Sequence, residues 1–171
     1  MTLAEIQSAT INPLIAREAY EHAAKRLDDA LQTKAAFEQK AFTLFGGYLT
    51  ISLALLAASG AAYDSQRLRH LFIPFLVTGI IFVVGDIMFM VALKARNYGA
   101  LASHPDMWLN TGVIDGPDSV LPTMLAYITF YHQERIDTSV ARNEAKAKWI
   151  ESGIWLGIVA PAIFIVLVVI F

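Results

Sequence analysis

Three stretches of this chain are apolar over enough residues to cross a lipid bilayer, and they constrain everything else it can fold into. Ala41 to Tyr63 runs 23 residues without a charged side chain. Leu71 to Leu93 is equally long and carries one charge, Asp86, and Ser152 to Phe171 holds 20 uncharged residues. At a rise of about 1.5 Å per residue, each covers a hydrocarbon core of roughly 30 Å. Lipid offers the backbone no hydrogen bonds, so segments this apolar are expected to be helices. The sequence predicts an all-α, polytopic membrane protein.

Little of the chain is left for anything else. With 171 residues and three spans there is no room for a sizeable separate globular domain, so one membrane unit over residues 1–171 is expected. A formal net charge of −2 gives no footprint for nucleic acid. Cysteine is absent, which excludes disulfides, thiolate metal sites and cysteine nucleophiles. The first apolar run follows a polar segment of 40 residues. That is the wrong place for a cleaved signal, so 41–63 is expected to stay as the first span.

Orientation follows from the basic residues. Residues 1–40 hold five, Asp64–His70 holds Arg67 and Arg69, and Lys94–Glu151 holds six. Three spans put the first and third of these regions on one side, eleven basic residues against two. The positive-inside rule then places the N-terminus in the cytoplasm of an inner (plasma) membrane and Phe171 at the outer face. The predicted order is a cytoplasmic helix over 1–40, spans at 41–63 and 71–93 joined by an outer loop at 64–70, a cytoplasmic loop at 94–119, a cytoplasmic amphipathic helix at 120–151 and a third span at 152–171. The apolar run Val120–His132 could instead be a re-entrant piece or a fourth span. Its 13 residues reach only about 20 Å, and a crossing there would export four basic residues.

The two cytoplasmic segments read as long helical extensions of the spans. Asn12 is a suitable cap with Pro13 in the first turn. Tyr20, Ala23, Leu27, Ala30, Leu31 and Ala35 recur at helical spacing, and Glu21–Lys25 and Glu18–His22 are candidate i,i+4 pairs. An apolar stripe needs a cover, so self-association or a cytoplasmic protein partner is expected. Asp118 or Ser119 can cap the second extension, whose stripe is Leu121, Leu125, Ile128, His132, Ile136 and Val140. Between them, 97–119 is rich in Gly, Pro, Asp and Asn but carries Trp108 and Tyr98, which fits a loop docked at the membrane interface.

Asp86 is the residue most in need of explanation. A carboxylate inside a span costs several kcal/mol, about 2.5–3.5 on insertion scales, so it faces protein or water rather than lipid. It is protonated, or it meets a hydroxyl such as Tyr48, Thr50 or Ser52 on the first span. Functionally it is a gating or ion-pathway candidate; structurally it is a polar contact between helices. Gly153 and Gly157 form a GxxxG pattern with Pro161 four residues on, and Gly46, Gly47 and Ala57–Ala61 offer further surfaces for close helix packing. No phosphate loop, dinucleotide turn, nucleophile elbow or HExxH occurs, and His104–Asp106 and His132–Glu134 lack a third ligand. No catalytic residue, metal site or cofactor is expected.

The segment LDDALQTKAAFEQKAFTLFGGYLTISLALL, Leu27–Leu56, leads a charged helix directly into a tight transmembrane hairpin. Over about residues 17–96 this layout resembles the SLATT-type membrane effectors of bacterial conflict systems. The resemblance implies an oligomeric, membrane-disrupting pore triggered by an immune signal. The third span, 152–171, is an addition to that two-span pattern. The resulting expectation is a homo-oligomeric, channel-like or membrane-perturbing effector in antiviral defence, working in the lipid bilayer. Its competitor is a non-conducting scaffold that anchors a partner complex through its cytoplasmic helices.

Overall fold

Asn12 begins the first helix as its sequence suggests: its Oδ1 accepts the Leu14 N–H at 2.9 Å, and its carbonyl accepts the Ala16 N–H at 3.0 Å. Pro13 occupies the first turn, where its missing N–H costs nothing. The structure, a computed structural model, describes residues 11–94 and 120–171. These residues form α1 (Pro13–Asp64), a short 3-10 turn (Arg69–Leu71), α2 (Phe72–Leu93) and α3 (Val120–Ile170), with no strand among the described residues. Helix α1, the stretch Arg69–Leu93 and α3 are each long and apolar enough to cross a membrane. Val120–His132 is simply the first part of α3. The predicted loop at 97–119 and its cap at Asp118 or Ser119 lie outside the described residues.

Chain contacts divide the molecule into two units, Met1–Lys34 with Arg96–Asn143, and Ala35–Ala95 with Glu144–Phe171. In the first, α1 buries Ala16, Ala23, Leu27 and Ala30. Helix α3 buries Ile128, His132, Ile136, Ser139 and Asn143. The Tyr20 ring stacks on His132, centroids 5.7 Å apart, and the Asn143 amide donates to the Ala30 carbonyl at 2.8 Å. Leu121 and Val140, read as part of the α3 stripe, are exposed instead. Repeated steps of four drift about 40° each around a helix, so after Ile136 the buried face passes to Ser139 rather than Val140. The α1 surface also differs from expectation, because Glu21 pairs with Arg17 at 2.9 Å.

In the second unit three helical segments meet. Ala41, Phe89, Ala92 and Ile150 form a fully buried cluster, flanked by Phe37, Leu44, Phe45, Tyr48, Leu93 and Ile154. Lys146, itself buried, is paired with Glu38. The connection between α1 and α2 is short, which makes them antiparallel neighbours. It is closed by Leu68 N–H to Ser65 O (3.2 Å), by Tyr63 against Phe72, and by the Arg69 guanidinium over the Tyr63 ring at 5.8 Å. Outward-facing residues of this unit include Leu53, Ile80, Ile87, Met90, Ile158 and Ile165. Ser52, Ser59, Thr78 and Asp86 are buried. An apolar exterior around polar interior groups is the arrangement lipid requires.

Candidate functional site

The buried face of α2 runs through Thr78, Phe82, Gly85, Asp86, Phe89 and Ala92. Helical spacing alone puts Asp86 between the two phenylalanines on one face. Asp86 is 5% exposed, and the Ser52 hydroxyl lies 3.2 Å from its Oδ2. That same hydroxyl lies 3.0 Å from the Leu49 carbonyl. It has one proton for two acceptors, so the contact is complete only when the carboxyl carries a proton of its own. Asp86 Oδ1 has no hydrogen-bond partner among the described residues.

Beside this pair sits Tyr48. Its ring meets Phe82 and Phe89 edge-on, with centroids 5.0 and 4.9 Å away. Its hydroxyl donates to the Gly153 carbonyl at 2.9 Å. Gly85 makes room for the ring, since a Cβ there would come 2.8 Å from it. Gly85, Gly153 and Tyr48 thus set how closely the spans approach around Asp86.

Set beside known protein families, curated proteins and solved structures, the chain matches none.

Of the hydroxyls weighed for Asp86, Ser52 is the one in contact. Tyr48 is engaged with Gly153, and Thr50 Oγ1 turns back to the Gly46 carbonyl at 2.9 Å. Gly153 and Gly157 are used inside the chain: a Cβ on Gly153 would come 2.6 Å from Phe89, and one on Gly157 would overlap the Tyr48 hydroxyl. Gly46 and Gly47 behave differently, because a Cβ on either meets nothing within 4 Å. Gly47 belongs to an exposed row on α1 made of Thr43, Gly47, Thr50, Ala54, Ala57 and Ala61, and Gly46 is exposed beside it. The spacing alternates four and three residues, the register of a left-handed helix–helix seam. Both threonine hydroxyls are satisfied by their own helix, Thr43 by the Gln39 carbonyl at 3.0 Å.

The row was legible only as scattered small residues until the opposite face of α1 was known to be buried. Tyr48 is legible in the sequence as a hydroxyl near Asp86, but nothing there ties it to Gly153, more than 100 positions away. No group of three or more His, Asp or Glu among the described residues is placed to hold a metal ion. One carboxyl and one hydroxyl in an apolar setting can exchange a proton or bind water.

Proposed function

We propose that this chain is a small homo-oligomeric membrane protein acting as a channel-like or membrane-perturbing effector in bacterial defence, as its SLATT-like layout suggests. Its N-terminus and the segments 1–40 and 120–151 lie in the cytoplasm, and its C-terminus lies at the outer face of the inner membrane. The observation that carries the assembly is the exposed seam from Thr43 to Ala61. Six small residues in coiled-coil register, with no polar group left unsatisfied, suit close approach of a second copy in lipid. Asp86 and Ser52 act as the gate. They are sealed within the protomer and become available to water only when α1 and α2 part.

A second reading, a non-conducting scaffold for a cytoplasmic partner, is favoured by one observation. Along its spans the exposed side chains of the second unit are mainly apolar, and Asp86 faces inward, so among the described residues of the spans this conformation presents no carboxylate to line a pore. Two measurements separate the readings. The mass of the purified protein in detergent, with the detergent contribution subtracted, is expected to be a defined multiple of the chain. Liposomes carrying that oligomer are then expected to lose an imposed potential, and Asp86→Ala to alter the loss. An oligomer that holds the potential supports the scaffold, and a strict monomer sinks the pore.

A further inference from the structure

The first unit holds a buried imidazole with an unmatched nitrogen. His132 is 4% exposed, and its Nδ1 has no hydrogen-bond partner among the described residues. Ile128 and Ile136, one turn away on either side, are buried with it. From α1 the titratable group against the ring is Tyr20, stacked at 5.7 Å with the ring planes 29° apart. Arg17, Glu18, Glu21 and His22, the charged or titratable residues flanking Tyr20 along α1, are exposed, and Arg17 is paired with Glu21. On α3 the charge acting on the ring is Arg135; Glu134 is exposed, and Asp137 accepts from Gln133 at 2.8 Å. No carboxylate meets the imidazole among the described residues.

We propose that His132 is a proton-operated latch, which closes the α1–α3 helix pair of the first unit when neutral and opens it when protonated. The neutral ring leaves one polar atom, Nδ1, without a hydrogen bond but carries no charge, and its face is met by Tyr20. An imidazolium carries a donor on both nitrogens, and the buried Nδ1–H has no acceptor to meet it. Its charge is also repelled by Arg135.

Burial first, and Arg135 second, push the ring below its ordinary titration range. The packed pair therefore takes up a proton less readily than the parted one. Its stability is complete above about pH 6.5, the ordinary histidine value, and is lost as pH falls from there toward the depressed value. A single proton changes the closing equilibrium by at most about tenfold per pH unit. If this unit lies in the cytoplasm, as proposed above, the input is acidification of that compartment; the latch itself does not depend on that placement.

The test is hydrogen–deuterium exchange on the full chain in detergent at about pH 7.5 and about pH 5.5, corrected for intrinsic exchange. Protection over residues 13–34 and 120–143 is expected to fall by up to about tenfold at the lower pH, while that over 72–93 is unchanged. In His132→Phe, which keeps an aromatic face for Tyr20, the pH dependence is expected to vanish. If that variant fails to fold at about pH 7.5, His132→Gln serves in its place, because it too is neutral at both values. Equal protection in the natural chain at the two pH values overturns the latch. So does an undiminished pH response in the folded variant.

Discussion

The Tyr48 hydroxyl donates to the Gly153 carbonyl at 2.9 Å, and Gly157, one turn further along α3, leaves the space the phenol occupies. The GxxxG pattern of the third span is thereby used within the chain, as a socket for a side chain from α1. A neutral hydrogen bond of this kind contributes about 1 kcal/mol. The absence of two methyl groups matters more, because overfilling a packed site costs about 1–3 kcal/mol.

Gly157→Ala is therefore expected to destabilise the protein by more than Tyr48→Phe does. The double variant should lose less than the sum of the two, because removing the hydroxyl takes away the atom nearest the new methyl, leaving the ring carbon Cζ at 2.5 Å as the remaining close contact. Denaturation of the three variants in detergent measures this coupling. Additive losses would mean that the two residues do not share one site.

On α1 the glycines have the opposite character. A methyl at Gly46 or Gly47 meets nothing within 4 Å among the described residues, so Gly46→Ala and Gly47→Ala should keep the chain's stability or raise it by up to about 1 kcal/mol, the helix preference of alanine over glycine. Bulk on the seam should act on assembly instead. Gly47→Leu with Ala54→Leu is expected to lower the oligomer mass in detergent while helicity and denaturation stay unchanged. The chain has no cysteine, so Ala54→Cys offers a clean check: it should cross-link between copies under oxidation. Ile80→Cys, exposed on α2, should not.

What the sequence made legible follows from how lipid and helix geometry act. The three apolar helices follow from local composition, because an unpaired backbone in lipid is forbidden whatever the tertiary arrangement. The Asn12 cap is equally local. Asp86 could be placed inside protein because its desolvation depends little on which neighbour it finds. Choosing Ser52 over Tyr48 and Thr50 required rotational phase, and 40° of drift per four residues exceeds what an isolated pattern resolves. The same drift moved the buried stripe of α3 from Val140 to Ser139. Which glycines pack inward could not be read at all, since Gly47 and Gly157 look alike until their neighbours along other helices are known.

At the polar pair, the outcome of a substitution depends on which partner is removed. Ser52→Ala leaves the buried Asp86 carboxyl without its contact and should cost about 1–3 kcal/mol. Asp86→Asn supplies an N–H donor to the Ser52 oxygen in the same shape and should fold within about 1 kcal/mol of the parent. Ser52→Ala with Asp86→Leu removes both polar groups, and it should be neutral or more stable. Thermal denaturation ranks the three. A double variant less stable than Ser52→Ala alone would show that the acid is held by more than Ser52. If the parent dissipates a membrane potential as proposed and a well-folded double variant does not, the carboxyl is needed for that activity rather than for packing.

Asn143 offers the same contrast in the first unit. Its Nδ2 donates to Ala30, but its Oδ1 is buried with no hydrogen-bond partner among the described residues. The gain of about 1 kcal/mol from one bond is thus offset by an acceptor taken from water at a cost of about 1–3 kcal/mol. Asn143→Ala loses the bond and leaves a cavity, and should reduce protection of residues 13–34 and 120–143 in hydrogen exchange. Asn143→Leu removes the unmet acceptor while keeping the volume, and should match the natural residue or exceed it. A polar residue in a helix seam fixes register at a cost in stability. The leucine variant should accordingly be the more stable protein with the less unique pairing, seen as doubled nuclear-resonance signals from the Tyr20 ring. If the leucine variant is as weak as the alanine one, the amide contributes more than its single bond, and the seam depends on it for stability as well as register.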